Sequence, residues 1–396
     1  MKILTLNCGS SSIKYQFIAM PDRVVLAKGN VERIGEPEGI MKHKTDKGQR
    51  VLERPFKDHA EGLQTIFDLL TDNDPISDLS EISAIGHRIV HGGEALTAPC
   101  MVSEELIQAV EAAEPLDPLH VPAHVLGLRV ASDLLPNVPM TAVFDTAFHQ
   151  SMPPKAFLYA IPRELYKKEH IRKYGFHGTS HQYVSRRAAQ LLGKTPKECN
   201  IITCHLGNGA SLAAVRGGEC IDTSMGLSPL EGVCMGTRSG DLDATVLTYL
   251  ARTKGYNADT LDDLLNKKSG LLGLSGISND CRVLEELAQE GNKDAILALD
   301  CYAYRIRKYI GSYIVALDAK VDAIVFTAGV GENSPYVRKL VCENLENIGI
   351  ELDIERNNVF SKEQKISTDN SKVQLWVIPT NEEMEIAKIT FDLVRQ

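Results

Sequence analysis

Three stretches of this chain consist of residues suited to holding anions. They are Asn7-Cys8-Gly9-Ser10-Ser11-Ser12-Ile13-Lys14, His205-Leu206-Gly207-Asn208-Gly209-Ala210-Ser211 and Thr327-Ala328-Gly329-Val330-Gly331-Glu332-Asn333-Ser334-Pro335, each following an apolar run. Glycine and small hydroxyl residues let the backbone approach an oxyanion closely, and inward-pointing N–H groups form a nest for phosphate. Lys14 adds a point charge, and Asn7 carries an oxygen suited to a hydrated Mg2+ shell. Asn208-Gly209 favours a tight hairpin. The third stretch leads into a helix at Pro335, and a helix N-terminus after a Gly-rich turn attracts anions. Each loop taken singly reads as well as an ordinary turn. Three of them, each after a strand, favour a nucleotide gripped between two halves. None matches G-x-G-x-x-G or G-x-x-x-x-G-K-[ST], so the Rossmann and P-loop readings do not apply.

Charged and imidazole groups sit on similar turns. Arg88 lies in Gly86-His87-Arg88-Ile89-Val90-His91-Gly92-Gly93, and Arg238 in Gly236-Thr237-Arg238-Ser239-Gly240-Asp241. A guanidinium fork grips carboxylate or phosphate in two places at once. A lone arginine is usually a solvated surface group, but one flanked by glycine on a loop is harder to dismiss. Asp145 ends a strand, where a turn or capping role is the alternative, and His177 stands just before a helix start, where a structural histidine is the alternative. His91, His120, His149, His181 and His205 form no His/Cys cluster, so zinc is not expected. Cys8 and Cys234 read as small packing residues, with an oxidation-sensitive Cys8 as the alternative.

The elements that must position these groups alternate between β-rich runs and helical stretches, which is an α/β pattern. Strands are expected at 2–6, 13–19, 24–31, 84–90, 140–145, 200–205, 211–216, 323–327 and 373–378. Helices are expected at 104–113, 124–135, 181–192, 282–290, 293–316, 335–347 and 382–394. The chain opens as a β-meander, not as β-α-β. The layout from Leu4 to Lys14 repeats from Ile202 to Leu212, half a chain further on, which predicts a duplicated domain. With 396 residues, two or three domains are expected. The 43 Lys+Arg against 52 Asp+Glu give a net charge of −9, and no basic stripe points to a nucleic-acid partner. No apolar run is long enough to span a bilayer, and no signal peptide is expected at the start. Nine cysteines without a C-x-x-C pair suggest reduced thiols in a cytoplasmic protein.

The segments LNCGSSSIK, GHRIVHGG, FDTAFH, YGFHGTSH, HLGNGAS, DTSMGLSPLEGVCMGTRSGDLD, TAGVGENS and PTNEE run in this order from residue 4 to 383. On these the chain resembles the acetate kinases, a branch of the actin/Hsp70/sugar-kinase superfamily. The resemblance implies an α/β fold of two duplicated ribonuclease-H-like (actin/Hsp70-type) domains with an interdomain cleft. It implies an N-terminal domain over 1–148 plus 380–396 and a C-terminal nucleotide-binding domain over 149–379. The implied reaction is ATP + acetate ⇌ ADP + acetyl phosphate with Mg2+, or Mn2+ in its place, in a cytoplasmic homodimer without nucleic-acid or membrane partners.

Carried over residue by residue, Asn7 and Glu382 would hold the metal. Lys14, His205, Leu206, Gly207, Asn208, Gly209, Asp280, Cys281, Arg282, Gly329, Val330, Gly331, Glu332 and Asn333 would bind ATP. Arg88 would bind the acetate carboxylate, and Val90, Leu119, Phe176 and Pro229 would line a pocket for its methyl group. Asp145 would be the catalytic carboxylate, with His177 and Arg238 stabilising the transition state. Acetate has no proton to lose at neutral pH, so Asp145 is expected to orient Arg88 or metal-bound water and not to act as a general base. The chain departs from the family where Val121 and His124 replace amides and where Ala244 replaces a common proline. A propionate or butyrate kinase stands as the alternative in the same class, because one methylene is worth only about 1–3 kcal/mol. A sugar kinase or an actin- or Hsp70-like ATPase fits less well, because the implied pocket is small and apolar and flanked by two arginines.

Overall fold

The computed structural model describes residues 1–72, 75–117 and 120–396. The chain divides into two compact units, Met1–Phe148 with Asn381–Gln396 and His149–Thr380. No helix among the described residues is long and apolar enough to cross a membrane.

The first unit is built on an eight-stranded sheet. Its strands are β1 (Lys2–Gly9), β2 (Ser12–Ala19), β3 (Val24–Glu32), β4 (Ile40–Thr45), β5 (Gly48–Glu53), β6 (Ala84–Ile89), β7 (Cys100–Met101) and β8 (Met140–Phe144), in the order β5-β4-β3-β2-β1-β6-β8-β7. β1 pairs antiparallel with β2 and parallel with β6, and β6 pairs parallel with β8. Side chains alternate across a strand, so β1 feeds two cores. Leu4, Leu6 and Cys8 meet Leu63, Phe67 and Leu70 of the helix His59–Asp72. Ile3 meets Met384 and Ala387 of the helix Glu382–Val394 on the other face. That helix crosses β6 at Gly86, where a Cβ would lie 2.5 Å from Thr390 Oγ1 and 2.7 Å from Ile386 Cγ2.

The second unit holds a six-stranded sheet. Its strands are β9 (Asn200–Leu206), β10 (Ala210–Arg216), β11 (Glu219–Thr223), β12 (Ala323–Thr327), β13 (Gln364–Lys365) and β14 (Gln374–Val377), in the order β11-β10-β9-β12-β14-β13. β9 pairs antiparallel with β10 and parallel with β12, and β12 pairs parallel with β14. The order and directions of β11-β10-β9-β12-β14 repeat those of β3-β2-β1-β6-β8. The duplication expected from the hairpins at Leu4 and Ile202 is therefore present in the sheets. The helices Gly178–Leu191 and Lys293–Ala316 pack on this second sheet.

Two expectations need correction. The helix expected over 335–347 ends at Cys342, because Asn344 takes a left-handed φ of 56° that no α-helix continues through. The stretch expected as a Gly-rich loop, 329–333, is itself a short helix, Ala328–Asn333, followed by a second one at Pro335. Glu332 makes this geometry stable: its Oε1 accepts the Ala328 N–H at 2.8 Å and the Thr380 N–H at 3.0 Å. Ser334 then caps the next helix, accepting the Val337 N–H at 2.9 Å.

Candidate functional site

In the first unit, parallel pairing of β6 and β8 brings Arg88 beside Asp145. Arg88 donates from Nε to Oδ1 at 3.1 Å and from Nη2 to Oδ2 at 2.5 Å. Asp145 is 1% exposed, so both of its oxygens are committed to this fork. Burial works against the Arg88 charge, but Asp145 and Glu382 outweigh it and hold its pKa above the usual value. Two of the five guanidinium N–H groups are used, and no other hydrogen-bond acceptor among the described residues engages the rest.

Glu382 opens the helix Glu382–Val394, with its Oε2 4.0 Å from Arg88 Nε. Among the described residues no donor hydrogen-bonds its carboxylate. Burial raises its pKa; Arg88 opposes this, Asp145 and Glu383 add to it, and Lys14 opposes it. Lys14 faces Asn7 across the β1–β2 ladder. Asn7 and Glu382 are oxygen donors, one of them an unsatisfied, largely buried carboxylate. That fits Mg2+, which takes one or two carboxylates from a protein and completes its shell with water and phosphate. No group of three or more His, Cys, Asp or Glu that could hold a metal occurs among the described residues.

Val90 is buried and donates its N–H to His124 Nε2 at 3.2 Å. Burial pushes the His124 pKa down to about 3, with His120, Arg88 and His87 contributing. The ring is therefore neutral at pH 7 and carries its proton on Nδ1, which is buried without a partner among the described residues. Leu119 lies outside the described residues. Cys8 sits in the core, and burial pushes its thiol up to about 12, so the oxidation-sensitive reading of Cys8 loses its thiolate.

In the second unit, His177 has a left-handed φ of 56° at the N-cap of the helix Gly178–Leu191, which begins earlier than the expected residue 181. Its Nδ1 lies 2.9 Å from Ser211 Oγ, and His181 Nε2 lies 2.7 Å from the same oxygen. One hydroxyl proton can serve only one ring, so the other ring must donate. A Cβ on Gly209 would sit 3.3 Å from Arg238 Nη1 and 3.5 Å from His177 Cε1. His177, Gly209 and Arg238 therefore converge, and a side chain at 209 would press on the Arg238 guanidinium. Arg238 Nη1 also donates to the Pro229 carbonyl at 3.3 Å. Phe176 is buried, and its carbonyl lies 2.9 Å from His149 Nε2.

A cavity of about 870 Å3 opens in this unit. Of the expected nucleotide residues, Gly207, Asn208, Asp280, Cys281, Arg282, Gly329, Val330 and Asn333 line it. The others lie elsewhere. Leu206 is core, and His205 is buried with Nδ1 2.8 Å from Ser180 Oγ. Gly209 faces Arg238, the Gly331 carbonyl accepts from Arg338, the Glu332 carboxylate caps backbone, and Lys14 is in the first unit. Asn279, Glu285, Gln289 and Phe360 also line the cavity and were not anticipated. The i, i+4 spacing of Glu285 and Gln289 on the helix Cys281–Gln289 was a legible signal of a shared face. Phe360 carried none.

The repeated sheets define the class, a duplicated ribonuclease-H-like α/β protein, and the second copy bears a cavity of nucleotide size. The model of the acetokinase family matches residues 2–388, and the chain belongs to that family. It is 52% identical over 396 residues to an acetate kinase of Pseudothermotoga lettingae, covering 100% of this chain and 98% of that one. It is similar to the crystal structure of Porphyromonas gingivalis acetate kinase, with a TM-score of 0.95, 45% identity and 99% of both chains covered. It is also similar to a propionate kinase from Francisella tularensis, with a TM-score of 0.93, 41% identity and 99% of both chains covered.

Proposed function

We propose that this chain is a Mg2+-dependent kinase that transfers the γ-phosphoryl group of ATP to acetate, reversibly, giving ADP and acetyl phosphate. The observation that carries the reading to a carboxylate acceptor is the Arg88–Asp145 fork. A guanidinium held by a buried carboxylate, with donors to spare, is a preformed seat for a second carboxylate. Acetate arrives already ionised, so the acceptor needs positioning and no general base. Asp145, with both oxygens engaged by Arg88, suits that role of holding the arginine.

In the transfer, an acetate oxygen forms its bond to the γ-phosphorus as the bond to the ADP oxygen breaks. Negative charge spreads over the three equatorial oxygens, and positioned cations lower the barrier. Arg238 supplies a planar cationic fork there, and His177 a ring nitrogen held by the Ser211 hydroxyl. The ATP occupies the cavity lined by Gly207, Asn208, Asp280, Arg282, Gly329 and Asn333. Lys14 would add a positive charge for phosphate, and Asn7 and Glu382 would hold Mg2+. When bound, the metal neutralises phosphate charge. Val90, buried in the first unit, offers apolar surface to the methyl group. The enzyme works in the cytoplasm as a homodimer.

Hydroxylamine trapping of the acyl phosphate tests the reading, with Mg·ATP and, separately, acetate, propionate and butyrate. The expected kcat/KM is highest for acetate. A preference for propionate would keep the chemistry and move the specificity to the propionate kinases, to which the chain is also similar. ATP hydrolysis without acyl phosphate from any acid would overturn the proposal.

A further inference from the structure

Phe360 lines the 870 Å3 cavity and is 58% exposed, on an irregular segment between the helix Pro335–Cys342 and β13. A single exposed phenylalanine is ordinary in itself. What sets this one apart is how firmly its backbone is held. The fully buried Arg338 donates from Nε to Asn357 Oδ1 at 2.8 Å and from Nη2 to the carbonyls of Asn357 and Val359 at 2.6 and 2.9 Å. Its Nη1 donates to the Gly331 carbonyl at 2.9 Å, so the same cation also holds the short helix Ala328–Asn333, whose Gly329, Val330 and Asn333 line the cavity. After Phe360, Ser361 takes a left-handed φ of 43°, unfavourable for a residue with a side chain. Ser361 donates from its N–H to the Glu332 carbonyl at 3.2 Å and from Oγ to Asn333 Oδ1 at 2.8 Å. A buried cation and a left-handed serine thus hold the backbone that carries a half-exposed phenyl ring beside the short helix Ala328–Asn333. Such an arrangement is favourable when a flat apolar ligand covers the ring.

We propose that Phe360 is the nucleobase-stacking residue of this cavity, its ring covering one face of the purine of bound ATP or ADP. The proposal rests on the reading of the cavity as the nucleotide site. Stacking acts on every base because every base has a π-face. Phe360 therefore supplies affinity for ADP and GDP alike and none for a phosphate chain without a base, while Asn279, Glu285 and Gln289 offer polar groups for the base edge.

Calorimetry on the full-length protein tests this, with ADP, GDP and inorganic tripolyphosphate in the presence of Mg2+. Phe360→Ala is expected to raise the Kd for ADP and for GDP about tenfold. Tripolyphosphate binding should stay within about twofold, and the KM for ATP should rise while that for acetate does not follow. Phe360→Trp should keep ADP affinity, and its added indole emission should be quenched by ADP. It serves as the test if the alanine variant fails to fold. An ADP Kd within about twofold of wild type in Phe360→Ala, or an added indole emission in Phe360→Trp that is indifferent to ADP, would overturn the stacking role. Wild-type protein that binds no ADP would instead overturn the nucleotide reading of the cavity, and the stacking proposal with it.

Discussion

Arg88, Asp145 and Arg238 differ in what their removal exposes. Asp145 is buried and paired, so Asp145→Asn removes the charge to which Arg88 is hydrogen-bonded. Breaking a buried pair costs about 3–5 kcal/mol, so the variant should melt earlier and lose acyl-phosphate formation. Its pH–rate profile should keep the wild-type shape, because no general base has been removed; a new pH dependence in kcat/KM would contradict that. Arg238 acts on the proposed transition state, and Arg238→Ala should cut kcat on the order of 10³ or more, by analogy with an arginine finger. Arg238→Lys should also be poor, since a point charge does not reproduce a planar fork; steady-state kinetics of both variants check this. His124 bears on stability. Its folded pKa, about 3, lies below the ordinary 6.5, so the unfolded chain binds a proton that the buried ring refuses. Its contribution is present above about pH 6.5 and is lost as the pH falls toward 4 and below. His124→Asn should flatten that acid-side loss of Tm, read by calorimetry across this range.

At the scale of elements, the helix Glu382–Val394 does two things at once: it covers one face of the first sheet, and its first residue is the proposed metal ligand. Gly86 of β6 permits the close approach. Gly86→Ala should destabilise the protein by about 1–3 kcal/mol through overpacking. It should also raise the Mg2+ concentration needed for half-maximal rate, as a metal titration would show. The central strands and this helix were legible because burial imposes its period on the sequence. The strands β4 and β5 escaped notice because their exposed face carries Lys42, Lys44, Gln49 and Val51, while the buried Met41 belongs to a core assembled with Phe56 and Leu63 from elsewhere. The helix Thr245–Lys254 was missed for a related reason: none of its residues is buried, so no core-facing stripe marks it.

For the whole molecule, that same helix is where the proposed homodimer is tested. It leaves Val246 and Tyr249 exposed, Tyr249 at 58%, and Leu247 and Leu250 only partly buried. A helix is normally held by an apolar face packed against something. Light scattering should give twice the chain mass for the wild type, and Tyr249→Lys should shift it toward the monomer. The sequence by itself determined the α/β class, the duplication and the anion-holding turns, because glycine turns and burial periods are local signals. It also placed Arg88, Asp145, His177 and Arg238 among the candidates. Only the tertiary structure decided that Asp145 spends both oxygens on Arg88, that Glu332 accepts the Thr380 N–H, and that Gly209 lies against Arg238 and His177. It alone brought Phe360 to a cavity lined by residues as distant in the chain as Gly207. These are contacts between segments far apart along the chain, set by strand pairing and packing, and no residue's immediate neighbours in sequence encode them.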